Sequence, residues 1–206
     1  MKTLDRYIEI AKGEVGVTEK KYNRVKYNEW YYGRDVSAYN DESGTYAWCA
    51  VFISWCAHMA NIPESVIPKF ALCTTGRSFY KEKGRYDTHV SKARKGDIIF
   101  INWSGGSSLQ HVGIVVDVND STITTVEGNR SNAVRLETYA LDDKRMIGFA
   151  HPDFDSLDPA ESTPEQEKSD IGDLECENIE KFNIFKKIVL YLIKILKLLI
   201  GEPLDE

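Results

Sequence analysis

Between Tyr46 and Ala60 the chain reads YAWCAVFISWCAHMA, with apolar residues on every side of a helical projection. A helix apolar all round belongs in a core rather than on a surface. Cys49 stands at its start. Upstream, Leu4, Tyr7, Ile8, Ala11 and Val15 recur at helical spacing and predict an amphipathic helix over Thr3 to Val15 that stops near Gly16. Tyr22 to Tyr39, crowded with Tyr and Trp, predicts an ordered loop lining a cleft. Asp41, Glu42, Ser43 and Gly44 predict a turn into the central helix. That helix ends at Ile62, because Pro63 disfavours helix in the residue before it. Ser65 to Tyr80 predicts one further short helix, and a basic, polar connection runs from Lys81 to Lys95.

From Asp97 the period changes to that of strands. Asp97 to Trp103, His111 to Val118, Ser121 to Glu127, Ala133 to Tyr139 and Arg145 to Ala150 are short and rich in Ile, Val, Thr and Phe. Turn residues separate them, such as Ser104 to Ser107, Asn119 with Asp120, and Gly128 with Asn129. A helical half followed by an antiparallel meander is an α+β fold.

Asp155 to Glu180 is acidic, with a single lysine and two prolines, a linker composition. Lys181 to Ile200 then has five lysines and no acids. On a helical projection Asn183, Lys186, Lys187, Lys194 and Lys197 gather within an arc of about 100°, which predicts an amphipathic helix. Lys194 and Lys197 argue against a membrane span, since a lysine near the bilayer centre costs roughly 2.5–3.5 kcal/mol on insertion scales. Packing on its own domain, contact with an anionic membrane surface, and self-association into a homo-oligomer remain. The width of the apolar face favours self-association. The expected domains are therefore 1–154, a linker over 155–180, and a helical tail over 181–206.

The 206 residues carry a net charge of −6, all of it from the tail: up to Asp155, 20 Lys and Arg balance 20 Asp and Glu. The body shows no basic stripe of the kind that tracks phosphates, which argues against nucleic acid. Four cysteines without a C-x-x-C pair indicate neither a disulfide framework nor a zinc site. Asp5, Arg6 and Glu9 fall where a Sec signal would need an unbroken apolar run, so none is expected.

Cys49 reads in two ways from its own stretch: as a buried structural cysteine, or as a nucleophile whose thiolate is favoured by the start of a helix. Cys56 lies about 10 Å further along the same helix, too far for a disulfide, and reads as packing. A nucleophilic cysteine needs a base, and the base needs a third group to fix its tautomer. His58 is out of reach, roughly 13 Å along the helix from Cys49. His89 and His151 read as surface residues. His111 opens a strand after the flexible Gly105 to Gln110 loop, where an imidazole can face a cleft. A hairpin through Asn119 and Asp120 returns Glu127 and Asn129 to its neighbourhood, and a carboxylate there can orient the ring.

The succession WCAVFISWC, KGDIIFINW, HVGIVVDV and TTVEGN resembles the CHAP family, the cysteine- and histidine-dependent amidohydrolases and peptidases of bacteriophage endolysins and bacterial cell-wall hydrolases. GEVGVTE and KYNEWYYG are similar to the helix and aromatic loop ahead of the cysteine in many such domains. The resemblance covers about Leu4 to Phe154. It implies a papain-like, NlpC/P60-like α+β fold that cleaves amide bonds in peptidoglycan, as an N-acetylmuramoyl-L-alanine amidase or an endopeptidase. It also implies Cys49 as nucleophile, His111 as general base and then acid, Glu127 as the group orienting His111, and Asn129 assisting. The Cys49 N–H would serve an oxyanion hole, although the glutamine that many relatives carry just before the cysteine is absent. Tyr27, Trp30, Tyr31, Tyr32, Trp48 and Trp103 are the aromatic residues expected to hold substrate. Some phage relatives bind calcium ahead of the cysteine; Asp41 and Glu42 alone fall short of the six to eight oxygens that it needs, and neither metal nor cofactor is expected. The absence of a Sec signal suits a phage lysin held in the cytoplasm until its release to the wall. Two alternatives stand beside this reading: a non-catalytic wall-binding or assembly module, and a thiol amidase for a small cytoplasmic conjugate.

Overall fold

A computed structural model describes residues 1–36 and 46–158. Met1 to Asp158 forms one compact unit. The expected turn at Asp41 to Gly44, most of the linker and the whole tail helix lie outside the described residues.

Four helices precede the main strands: α1 (Thr3–Gly13), α2 (Lys26–Tyr32), α3 (Cys49–Met59) and α4 (Cys73–Glu82). Six strands complete the unit: β1 (Tyr86–Asp87), β2 (Ile98–Ile101), β3 (His111–Val118), β4 (Thr122–Glu127), β5 (Arg135–Ala140) and β6 (Met146–Ala150). The fold is α+β, with a helical N-terminal half packed on an antiparallel sheet. α3 is buried along its length as its composition requires, and α1 covers it through Tyr7, Ile8 and Ala11. Asn61, at φ 57°, stops α3 in the left-handed conformation that asparagine tolerates. The unit closes where Thr3 donates from its N–H and its hydroxyl to the Asp158 carboxylate, at 2.7 and 2.9 Å.

Two expectations are corrected. Tyr22 to Tyr39 is not a continuous loop, because Lys26–Tyr32 forms α2 and ends at Gly33, whose φ of 66° suits a residue without a Cβ. The strands are not a simple meander either. Their order is β1-β6-β2-β3-β4-β5, so that β2 to β5 run as a meander and β6 returns to the free edge of β2. Only Leu141 to Arg145 separates β5 from β6, and Tyr139 of β5 and Phe149 of β6 belong to one apolar cluster. Ile99, Ile101, Val115 and Ile123 complete that cluster on one face of the sheet. Ile98, Phe100, Val112, Ile114 and Val126 lie on the other face, in the core shared with the helices.

Candidate active site

Cys49 is the first residue of α3, and its approach is fixed from two sides. Asn28, buried in α2, donates its amide to the carbonyl oxygens of Asn23 and Tyr46, at 2.9 and 2.8 Å. The indole N–H of Trp48 donates to Glu19 Oε2 at 2.6 Å. Phe52 N–H is the acceptor-seeking group that closes the first turn, on Trp48 O, so the N–H groups before it face the helix start without an intrahelical acceptor. Cys49 itself is only 6% exposed.

His111 opens β3 opposite Ile101 of β2. Its Nε2 lies 3.0 Å from Glu127 Oε2, at the end of the adjacent β4. Cys49 and His111 are close enough that each shifts the other's pKa, the thiol down and the imidazole up. Two glycines make the convergence sterically feasible. A Cβ on Gly113 would stand 2.7 Å from Glu127 Cγ, and one on Gly128 would stand 2.4 Å from Phe52 Cβ, so that β4 ends directly against the first turn of α3.

Glu127 is fully buried, yet each oxygen has a donor. Oε2 faces His111, while Oε1 accepts the hydroxyls of Thr125 and Tyr139, both at 2.7 Å. Burial would raise its pKa. The hydrogen bond and charge of His111, with those two hydroxyls, outweigh burial and hold the carboxyl below its ordinary range. Burial likewise opposes charge on His111, but the bonds and charges of Cys49 and Glu127 raise the imidazole to about 9. The Cys49 thiol is lowered well below its ordinary value, first by its hydrogen bond with Cys73, in which either sulfur can donate, and then, against burial, by His111 and by the Ala50 N–H. Both shifts favour a thiolate beside an imidazolium over the neutral pair.

The remaining expected site residues divide. Asn129 sits in a left-handed turn at φ 59°, and among the described residues no hydrogen bond joins its side chain to His111. Trp103 is at the site, half-exposed at 36%, with its ring 5.1 Å from that of His111. Tyr27 and Trp48 cannot line a binding surface and are corrected to core residues: both are fully buried, they stack on each other, and their polar tips are satisfied by Glu14 and Glu19. Trp30 stacks on His58, toward the far end of α3 from Cys49, and Tyr31 shares Lys69 with it. Tyr32 meets Tyr46, two residues before Trp48, in an edge-on contact at 5.1 Å. His151 is also corrected: its Nδ1 pairs with the buried Asp97 at 2.9 Å, so it is a structural rather than a surface histidine. His89 is exposed.

Four residues at the site were not anticipated. Thr125 and Tyr139 hold Glu127, and strand periodicity carries a signal for Thr125, two residues before Glu127 and so on the same face. Arg130 lies over the Trp103 ring at 4.4 Å and brings Nε within 3.9 Å of Glu127 Oε2. Cys73 places its sulfur 3.7 Å from that of Cys49. Among the described residues no group of three or more His, Cys, Asp or Glu side chains is arranged to hold a metal ion.

Among the solved structures that are similar to this chain are two of Ly7917. The crystal structure of Ly7917 aligns at 13% identity with a TM-score of 0.45, and that of Ly7917 with the hydrolyzing product of MDP at 14% and 0.44. The alignments cover 73% and 72% of this chain and 62% of each of those, so the chain spans less than two thirds of their length. No curated protein matches it. The CHAP domain family model matches residues 41–129, and the resemblance to that family holds over the stretch that carries Cys49, His111, Glu127 and Asn129.

Proposed function

We propose that this protein is a cysteine amidohydrolase that cleaves an amide bond of peptidoglycan, with Cys49 as nucleophile, His111 as proton carrier and Glu127 as the group orienting His111. The observation that carries the chemistry is the His111 Nε2 to Glu127 Oε2 bond of 3.0 Å, made by a buried carboxylate to the histidine whose pKa Cys49 shifts. The substrate class rests on the CHAP match over residues 41–129.

The thiolate attacks the carbonyl carbon, and the Cys49 N–H at the start of α3 meets the developing oxyanion. Because the proton already resides on His111, the imidazolium acts first as an acid, delivering that proton to the leaving amine. The neutral ring then takes a proton from the water that hydrolyses the thioester. This reverses the order of base and then acid implied by the resemblance. The half-exposed Trp103 beside His111 offers an apolar face for sugar or peptide.

Exposure of purified cell walls to wild-type protein and to Cys49→Ala tests the reading. Wild type clears the suspension and Cys49→Ala does not, with an unchanged melting curve; clearing by the variant at the wild-type rate would remove Cys49 from the mechanism. Mass spectrometry of the released fragments separates an amidase, which frees an alanine N-terminus, from an endopeptidase, which leaves a new end inside the peptide.

A finer reading places the protein as a phage-type endolysin, held in the cytoplasm until release, whose tail over 181–200 joins copies into an oligomer. Its support is the sequence alone: the resemblance to lysins and the wide apolar face of the tail. Light scattering decides the second part, and a monomer at micromolar concentration ends it.

A further inference from the structure

Two helices begin with a cysteine at the same place. Cys49 is the first residue of α3 and Cys73 the first of α4, and their sulfurs are 3.7 Å apart. The start of α4 is held there without help from the thiols. Ser54, five residues along α3 from Cys49, donates its hydroxyl to Phe70 O and accepts Phe70 N–H, both at 2.9 Å, three residues before Cys73. Gly76 in the first turn of α4 packs on the Phe70 ring so closely that a Cβ would stand 2.5 Å from it.

We propose that Cys73 is a positioning residue of the site, whose thiol donates its S–H to the Cys49 sulfur and holds that sulfur as a thiolate turned toward His111. The inference rests on the proposed function for its chemistry, but the thiol pair stands or falls by itself. The direction of donation follows from the partners. A sulfur that faces an imidazolium, the Ala50 N–H and a helix start is the one that gives up its proton. The second thiol, with a negative sulfur beside it, keeps its own, and the neighbouring charge and burial push the Cys73 thiol up. Among the described residues, the titratable groups facing Cys49 are His111 from β3 and Cys73 from α4, with Glu127 behind His111. Cys49 thus has two proton partners on different elements. His111 exchanges protons with the substrate, and Cys73 retains its proton throughout.

The test is the rate of Cys49 alkylation by iodoacetamide against pH, with the labelled peptide identified by mass spectrometry to separate it from Cys56, Cys73 and Cys176. A hydrogen bond to a charged group is among the stronger ones, but a thiol is a weak donor. Cys73→Ala is therefore expected to raise the midpoint of the alkylation curve by about one unit, a tenfold loss of thiolate. Cys73→Val, which keeps the volume but has no donor, should do the same. Cys73→Ser, which keeps one, should stay near wild type. Melting curves identify any variant that fails to fold, and the other donor-free variant then carries the comparison. An unchanged midpoint in Cys73→Ala or Cys73→Val overturns the proposal, as does a Cys73→Ser midpoint equal to theirs. Wall clearing is read separately: walls that resist the wild type while the midpoint still depends on Cys73 refute the substrate and leave the thiol pair standing.

Discussion

Gly113 of β3 leaves the space that Glu127 of β4 occupies: a Cβ at residue 113 would lie 2.7 Å from Glu127 Cγ. A flexible carboxylate side chain could ordinarily step aside. This one is held by His111, Thr125 and Tyr139 at once, so movement breaks a buried network. Gly113→Ala should cost about 1–3 kcal/mol of stability, the usual range for overpacking, and lower wall hydrolysis by withdrawing Oε2 from His111. Denaturant unfolding and turnover on one preparation check both, and unaltered values would show that Glu127 has slack.

The same network fixes an order of severity. His111→Ala removes the proton carrier and should lower kcat by roughly 10²–10⁴-fold. Glu127→Gln should cost less. The imidazolium can only donate, so the amide oxygen must turn toward it, and the Thr125 and Tyr139 hydroxyls can rotate to accept from the amide nitrogen. The tautomer is kept and only the charge is lost, a fall of roughly tenfold. His151→Ala should instead lower the melting temperature, because it removes the histidine partner of the buried Asp97 carboxylate and leaves that charge to Arg94 alone, and should spare turnover. A loss at His151 or His58 equal to that at His111 would assign the wrong histidine.

How far the sequence reached can be read from particular residues. The hairpin was legible because Asn119 is a turn former; its Oδ1 accepts the N–H groups of Ser121 and Thr122, and the register returns the end of β4 to the start of β3. The start of α3 was legible from an unbroken apolar run. Tyr27 and Trp48 were misread because composition cannot tell a cleft aromatic from a core one whose polar tip finds a distant acid, here Glu14 and Glu19. Cys73 was invisible for a related reason, since it faces Cys49 only through the path that Ser54 imposes on Phe70. The return of β6 beside β2 and the two-residue β1 depend on long-range pairing that no local period encodes.

Sulfurs 3.7 Å apart are in contact, and the lowered pKa of Cys49 favours its thiolate. A diazene oxidant such as diamide should therefore join them: the Cys49 thiolate adds to the N=N bond, Cys73 attacks the Cys49 sulfur, and the hydrazine leaves with the two electrons and the protons. The product is a disulfide between α3 and α4 with no free nucleophile. Activity should fall and return with a dithiol reductant, and peptide mapping should find Cys49 linked to Cys73 and Cys56 unmodified, as its burial requires. Cys73→Ala should lack the link. Inactivation of wild type without that cross-linked peptide would refute the geometry of the pair.

The thiolate and imidazolium are needed together, which sets the pH profile. Turnover should fall on the alkaline side with an apparent pKa of about 9, as His111 loses the proton that it owes the leaving amine. The acid limb lies where the Cys49 thiolate is protonated, below the ordinary thiol range. The stability profile differs. Between about pH 6.5 and 8.5 the folded pair binds one proton, on His111, and the unfolded chain also binds one, on the cysteine, so these two groups give no slope. Below about pH 6.5 the unfolded histidine gains a second proton, while the lowered Cys49 thiol in the folded pair resists taking one, so acidification favours unfolding. Glu127 adds in the same sense: its lowered carboxyl stabilises above the ordinary glutamate value near 4.3, and that contribution is lost as the pH falls through its folded pKa. Turnover and melting temperature measured across pH 4 to 10 should therefore part company on the alkaline side, activity declining near 9 while this pair leaves stability level up to there. An alkaline limb near 6.5, the ordinary histidine value, would mean that the pair rests as a neutral thiol and imidazole, and His111 would then have to act first as a base.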